Sequence, residues 1–247
     1  MTLRAGLLLA VSFAIAVALP QSAVAQEISL SLGDGESVSA RSIQLILLIT
    51  VLSLAPGLAI MITCFPFLVT VLAILRQAIG LQQSPPNMLI VSLALFLTYF
   101  VMEPVFTAAW ETGISPLMNE QIEIETALIR SLEPFRVFMS DRVDQDTFVA
   151  MAELRPDAAT IRSGPDAPLS VLVPSFLLSE IARAFQVGFL VFLPFLIIDL
   201  VVAAILMSMG MMMVPPAIVS LPFKLAFFVV ADGWSLIASA LVRSYFP

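Results

Sequence analysis

The chain has 247 residues, 60% hydrophobic and only 12% charged, with a mean hydropathy of +1.05. Soluble domains carry about 25% charged residues, so this is a membrane-type composition. With no histidine, one cysteine (Cys64) and a net charge of −7, it has no internal disulfide, no cysteine metal cage and no basic surface for nucleic acid.

The N-terminus reads as a signal peptide over residues 1–25. Arg4 supplies the positive region, Ala5 to Leu19 is apolar, Pro20 breaks the run, and Ala23-Val24-Ala25 fits the small-x-small cleavage rule. The alternative is an uncleaved anchor helix. Residues 26–42 are polar, contain Gly33-Asp34-Gly35-Glu36, and read as a flexible lead-in.

A first helical hairpin is expected over 43–110. Ser42 to Leu75 carries no charge across 34 residues. One helix of that length is about 51 Å, longer than a hydrocarbon core of about 30 Å. It predicts one long, broken helix with kink points at Pro56-Gly57 and Pro66. A polar connection follows Arg76. Ser84 caps a second helix that opens at Pro85-Pro86 and runs to about Met102, where Glu103-Pro104 kinks or ends it.

Residues 111–173 form an acidic insert. From Glu111 to Glu180 there are 12 acids and five arginines, which accounts for the whole net charge. Ile122, Leu128, Ile129 and Leu132 suggest a helical stripe, and Asp146-Thr147 a cap for a short helix over Phe148 to Leu154. So short an insert cannot bury a large core alone and must pack on other parts of the protein.

A second hairpin is expected over 174–247. Its first helix starts at Pro174 and kinks at Pro194, and its second runs from about Pro216 to Val242. Between them lies a methionine loop, 207–213, with Met207, Met209, Met211, Met212 and Met213 around Gly210 and ahead of Pro215-Pro216. The proline pair breaks the helix. Methionine is unbranched and adaptable, so the cluster serves either as core filler in a tight turn or as a surface that closes around changing shapes.

Charges at membrane depth pair with one another or line a watery cavity. Glu180 and Arg183 are three apart and share a helix face. Asp199, Lys224 and Asp232 need partners on other helices or other chains. For Lys224 the candidates are Glu180 and Asp199. Enzyme chemistry finds no purchase: catalytic residues, cofactors and metal ligands are all absent as motifs, and no phosphate-binding glycine loop is present.

Several motifs resemble the FliP family, export-gate proteins of flagellar type III secretion. They include Pro174-Ser175-Phe176 with Glu180-Ile181, Phe185 and Gly188-Phe189, and Pro194-Phe195 with Asp199. Gly210 through Pro216, Leu221-Pro222-Phe223-Lys224-Leu225 and Asp232-Gly233-Trp234 also match. Upstream, Leu75 through Gly80, Pro85-Pro86-Asn87 and Leu93 through Thr98 fit. The resemblance covers most of 43–245. One departure is Phe65-Pro66-Phe67, where the family often has an arginine.

The resemblance implies an all-α, polytopic membrane-type protein of about four long kinked apolar helices in two hairpins, with a small acidic helical insert. It implies a pentamer in the bacterial inner membrane at the flagellar basal body, with FliQ-like and FliR-like partners and other export-apparatus membrane proteins. Family members sit largely above the bilayer plane, enclosed by protein. Unfolded flagellar subunits are the cargo. Met211, Met212 and Met213, with Met207 and Met209 beside them, then form a gasket across the pore, and the insert faces the periplasm. A virulence-type homologue and a small-solute transporter subunit are the alternative readings. The signal peptide favours the flagellar branch. A transporter predicts inverted repeats, which the unequal charges of the two hairpins do not suggest.

Overall fold

The computed structural model describes residues 38–80, 85–156, 161–211 and 213–246. The expected signal peptide, residues 26–37 of the lead-in, Ser84 and Met212 lie outside the described residues. Among those described, helix is the only regular structure: α1 (Val38–Met61), α2 (Phe65–Ile79), α3 (Asn87–Ala109), a π-helical turn (Trp110–Ile114), α4 (Ser115–Met118), α5 (Ile124–Arg142), α6 (Gln145–Glu153), α7 (Leu169–Ser208), α8 (Pro216–Val230) and α9 (Gly233–Arg243). Three segments are long and apolar enough to cross a membrane: Ser42–Met61, Asn87–Met118 and Leu169–Ser208. The bent pair α8–α9 makes a fourth when taken as one span.

The chain divides at Ile49 into two units. The described part of the first is the start of α1, whose described side chains from Ser42 to Ile49 are all exposed. The second unit, from Thr50 onward, holds everything below.

The expected single helix over 42–75 is two helices. α1 runs unbroken through Pro56-Gly57 and stops at Met61, where Thr63 Oγ1 donates to the Ile60 carbonyl at 2.8 Å. Pro66 kinks nothing; it occupies the first turn of α2, where its missing N–H is not needed. α2 ends at Gly80, whose φ of 89° suits glycine, with its N–H bonded to the Gln77 carbonyl.

α2 is the centre of the main core. Phe67, Leu68, Val71, Leu72, Leu75, Ala78 and Ile79 are buried against Ile90, Ala94, Val101 and Met102 of α3 and Ala184 and Phe195 of α7. Burying each large aliphatic or aromatic side chain contributes about 1.5–3 kcal/mol. The α2–α7 contact is close enough that a Cβ on Gly188 would lie 2.4 Å from Ile74 Cδ1. This packing explains an apolar stretch that lipid thickness alone did not.

The other helices also depart from their expected bounds. α3 continues past Glu103-Pro104, with Pro104 inside it, and passes into the π-helical turn. Gly113 in that turn meets α5 so closely that a Cβ would lie 2.6 Å from the Ala127 carbonyl oxygen. α7 begins at Leu169, five residues before Pro174, and spans 40 residues with Pro174 and Pro194 inside it. The final helix breaks at Ala231-Asp232, and its halves bend by 62°.

In the insert, Leu128 and Ile129 are exposed at 64% and 62%, so the stripe read from sequence is not the buried face. The buried residues of α5 are Ala127 and Met139, and Ala127 lies one residue, about 100°, around the helix from Leu128. α6 is capped by Asp144 rather than Asp146: its Oδ2 accepts from the Thr147 N–H at 3.0 Å and the Thr147 hydroxyl at 2.9 Å. A second core joins Met139, Val143, Phe148 and Ala152 of this region to Val171, Leu172 and Phe176 at the start of α7.

Candidate functional site

The methionine segment is a helix-terminating turn. α7 ends at Ser208, and Gly210 takes the left-handed conformation at φ 75°. Its N–H bonds to the Met207 carbonyl at 3.0 Å, and the Met211 N–H reaches back to the Leu206 carbonyl at 2.9 Å. That pair of bonds is a Schellman motif, which satisfies carbonyls the ending helix would leave open. Leu206 is buried beneath it. Pro215 is then the N-cap of α8 and Pro216 its first residue.

The described methionines of this turn do not fill a core within this chain. Met213 is 97% exposed, Met209 67%, Met207 61% and Met211 39%. Exposed apolar side chains in a cluster mark a surface that something else covers. Beside the turn, a groove of about 490 Å³ is lined only by apolar residues, among them Val201, Ile205, Met209 and Phe223.

An ion pair ties the arms of this hairpin together. Lys224 Nζ lies 2.6 Å from Asp199 Oδ2 and donates to the Ala78 carbonyl at 3.0 Å. Ser220 Oγ donates to Asp199 Oδ1 at 2.5 Å. Lys224 is buried, while a third of the Asp199 side chain is exposed. Lys224 thus neutralises a carboxylate and caps the C-terminal end of α2, where cations are favoured. Asp199 lies ten residues before Met209 along α7, about 15 Å. The pair therefore clamps the hairpin below the turn and ties it to α2.

The second charge cluster centres on Glu180, which is fully buried. Arg142 Nε donates to its Oε1 at 3.1 Å. Arg142 Nη2 lies at 3.1 Å from the same oxygen but is not aligned to hydrogen-bond to it. Tyr245 Oη donates to Oε2. The expected partner Arg183 stands farther off, at 4.0 Å. Glu180 does not reach Lys224. Asp232 is exposed, sits at φ 47° and enters no ion pair among the described residues.

The FliP family model matches residues 48–241, the stretch that contains the methionine turn, both charge clusters except Tyr245, and the whole insert. The chain belongs to the FliP family. It is 49% identical over 245 residues to "Flagellar biosynthetic protein FliP" of Caulobacter vibrioides, covering 98% of this chain and 92% of that one. The protein of the same name from Bacillus subtilis is 45% identical over 216 residues, covering 87% and 96%. That from Aquifex aeolicus is 43% identical over 221 residues, covering 88% and 91%.

This FliP-family chain uses residues that no motif singled out. Arg142 comes from the insert, 38 positions before Glu180. Ser220 was readable in principle, since it lies one helical turn before Lys224 on the same face. Tyr245 had no sequence signal beyond being one of two tyrosines.

Proposed function

We propose that this chain is a pore-forming subunit of the flagellar type III protein export gate in the bacterial inner membrane. Copies of it form a ring, a pentamer as the family resemblance implies, with FliQ-like and FliR-like subunits, and unfolded flagellar proteins pass through the centre. The single observation that carries this reading is the methionine turn: a rigidly terminated, clamped hairpin that ends in exposed flexible apolar side chains. The names of the relatives, flagellar biosynthetic proteins, favour flagellar over virulence secretion.

A ring operator repeats one surface, so it brings the same turn from each copy to one axis. A soft apolar constriction excludes water and ions, and unbranched side chains part for a peptide. Met211, Met212 and Met213 form the seal, with Met207 and Met209 behind them. Gly210 and Pro215-Pro216 shape the turn. Lys224 and Asp199 hold its two arms. The acidic insert lies on the periplasmic side, and residues 1–25 are a signal peptide that directs that topology.

The test is a triple Met211→Ala, Met212→Ala, Met213→Ala variant. The expected result is a complex that assembles in normal yield and membranes that leak small ions while secretion is idle. An assembled triple variant in a tight membrane refutes the seal. Failure to assemble shows instead that the turn is a packing element, since each buried Met→Ala change costs about 2–5 kcal/mol.

A further inference from the structure

Tyr245 follows α9 and joins four helices at one side chain. Its ring meets Phe67 of α2 edge-on, with centroids 5.7 Å apart, and stacks on Phe138 of α5 at 6.1 Å. The Arg142 guanidinium carbon lies 4.0 Å from the ring centroid. The hydroxyl donates to Glu180 of α7. The adjacent Ser244 carbonyl accepts from Arg142 Nη1 at 2.9 Å.

These contacts divide the work on the buried carboxylate. Oε1 is served by Arg142 and Oε2 by the Tyr245 hydroxyl. Glu180 has no exposed surface, so water cannot replace a lost donor unless the packing opens. Arg142 depends on the same tyrosine, because its face rests on the ring while its Nη2 hydrogen-bonds to nothing. Burial, and then the charge of Glu180, holds the Tyr245 phenol far above its ordinary range, so it stays a protonated donor.

We infer that Tyr245 is a positioning residue: it holds Glu180 and Arg142 in contact and so fixes the insert helix α5 to α7, the helix that carries the methionine turn. Removing the hydroxyl alone keeps the ring packed on Phe67 and Phe138 but leaves Oε2 without its donor. α5 and α7 then lose their shared register, and the far end of α7 loses a fixed base. The effect on secretion rests on the export-gate reading, whereas the effect on the cluster does not.

Cys64 reports on the cluster directly. It is the only cysteine in the chain, it is fully buried, and it belongs to the core that holds Phe67 and against which Tyr245 packs. The experiment measures the rate of maleimide labelling of Cys64 in the full-length protein, purified in mild detergent. The variants are wild type, Tyr245→Phe, Glu180→Gln and the double. A hydrogen bond to a charged group carries roughly a tenfold to hundredfold effect, so Tyr245→Phe is expected to label that much faster. The double variant is expected to label no faster than Glu180→Gln alone, because that change already disrupts the carboxylate that both Tyr245 and Arg142 serve.

Cells carrying Tyr245→Phe are expected to assemble the ring yet secrete less flagellar protein. Wild-type labelling of Tyr245→Phe, or additive effects in the double, overturns the inference. Faster labelling with undiminished secretion overturns the positioning role for export. If Tyr245→Phe does not accumulate, Glu180→Gln decides: faster labelling supports the latch, and wild-type protection overturns it. The idle leak of the methionine triple variant tests the gate reading separately, so the two failures are distinguishable.

Discussion

Replacing Lys224 with methionine keeps most of the side chain's volume and removes its charge. Two contacts go: the ion pair to Asp199 at 2.6 Å and the hydrogen bond to the Ala78 carbonyl at 3.0 Å. Breaking one side of a fully buried pair costs about 3–5 kcal/mol. Here the Asp199 side chain is one-third exposed and keeps its bond from Ser220, so water and the serine offset part of that loss. The ion-pair contribution falls to about 1–3 kcal/mol on that account. The lost charge at the end of α2 adds about 0.3–1 kcal/mol. The sum is on the order of 1–4 kcal/mol, enough to lower the yield of assembled complex severalfold. The assay is the unfolding midpoint and assembly yield of purified protein for Lys224→Met, Asp199→Asn and the double variant. The double is expected to recover more than half of the Lys224→Met loss, because no unpaired charge remains. A Lys224→Met loss under about 0.5 kcal/mol, or strictly additive singles, would refute the clamp.

Gly210→Ala puts a Cβ on a residue at φ 75°, in otherwise open space. The change is expected to cost about 1–2 kcal/mol through backbone strain alone, and idle membranes carrying it should leak even though every methionine remains. An ion-conductance measurement checks this, and a tight membrane counts against a turn that must end in this shape. Asp144 accepts from the Thr147 N–H and hydroxyl, and those bonds hold its carboxyl below the usual carboxylate range. A depressed folded value means that the stabilisation is present above the unfolded carboxylate pKa and is lost as pH falls through the folded one. Limited proteolysis of the insert should therefore accelerate below about pH 4. Asp144→Asn keeps a good cap but should remove that acid dependence.

Much of the candidate site was legible because it depends on neighbours in the chain. Gly210 and Pro215-Pro216 dictate a helix end and a restart through backbone geometry, so the position of the turn followed from the residues there. The need of Lys224 for a carboxylate was equally plain, since a charge flanked by Pro222-Phe223 and Leu225 demands a partner. Its choice of Asp199 over Glu180 was not, because both lie on the same apolar helix and only the packing of α8 on α7 selects one.

Apolar pattern misled where a helix faces two environments. In α5 the stripe with Leu128 and Ile129 points outward, while Ala127 and Met139 face the protein. Ser42 to Leu75 read as one helix because apolar composition does not mark a turn, and the break at Ile62–Cys64 rests on a local Thr63 bond.

By itself, then, the sequence determined the helical class, the membrane-type character, the methionine turn and the presence of buried charge. Each of these follows from composition or from residues a few positions apart. The tertiary structure decided which charges meet: Arg142 with Glu180, Lys224 with Asp199 and the Ala78 carbonyl, and Tyr245 with Glu180 and Arg142. Tyr245 and Glu180 are 65 positions apart, and Lys224 and Ala78 are 146. No backbone rule links residues so far apart. Their encounter depends on how α2, α5, α7 and α8 pack, and that is set by the shapes of their buried faces together.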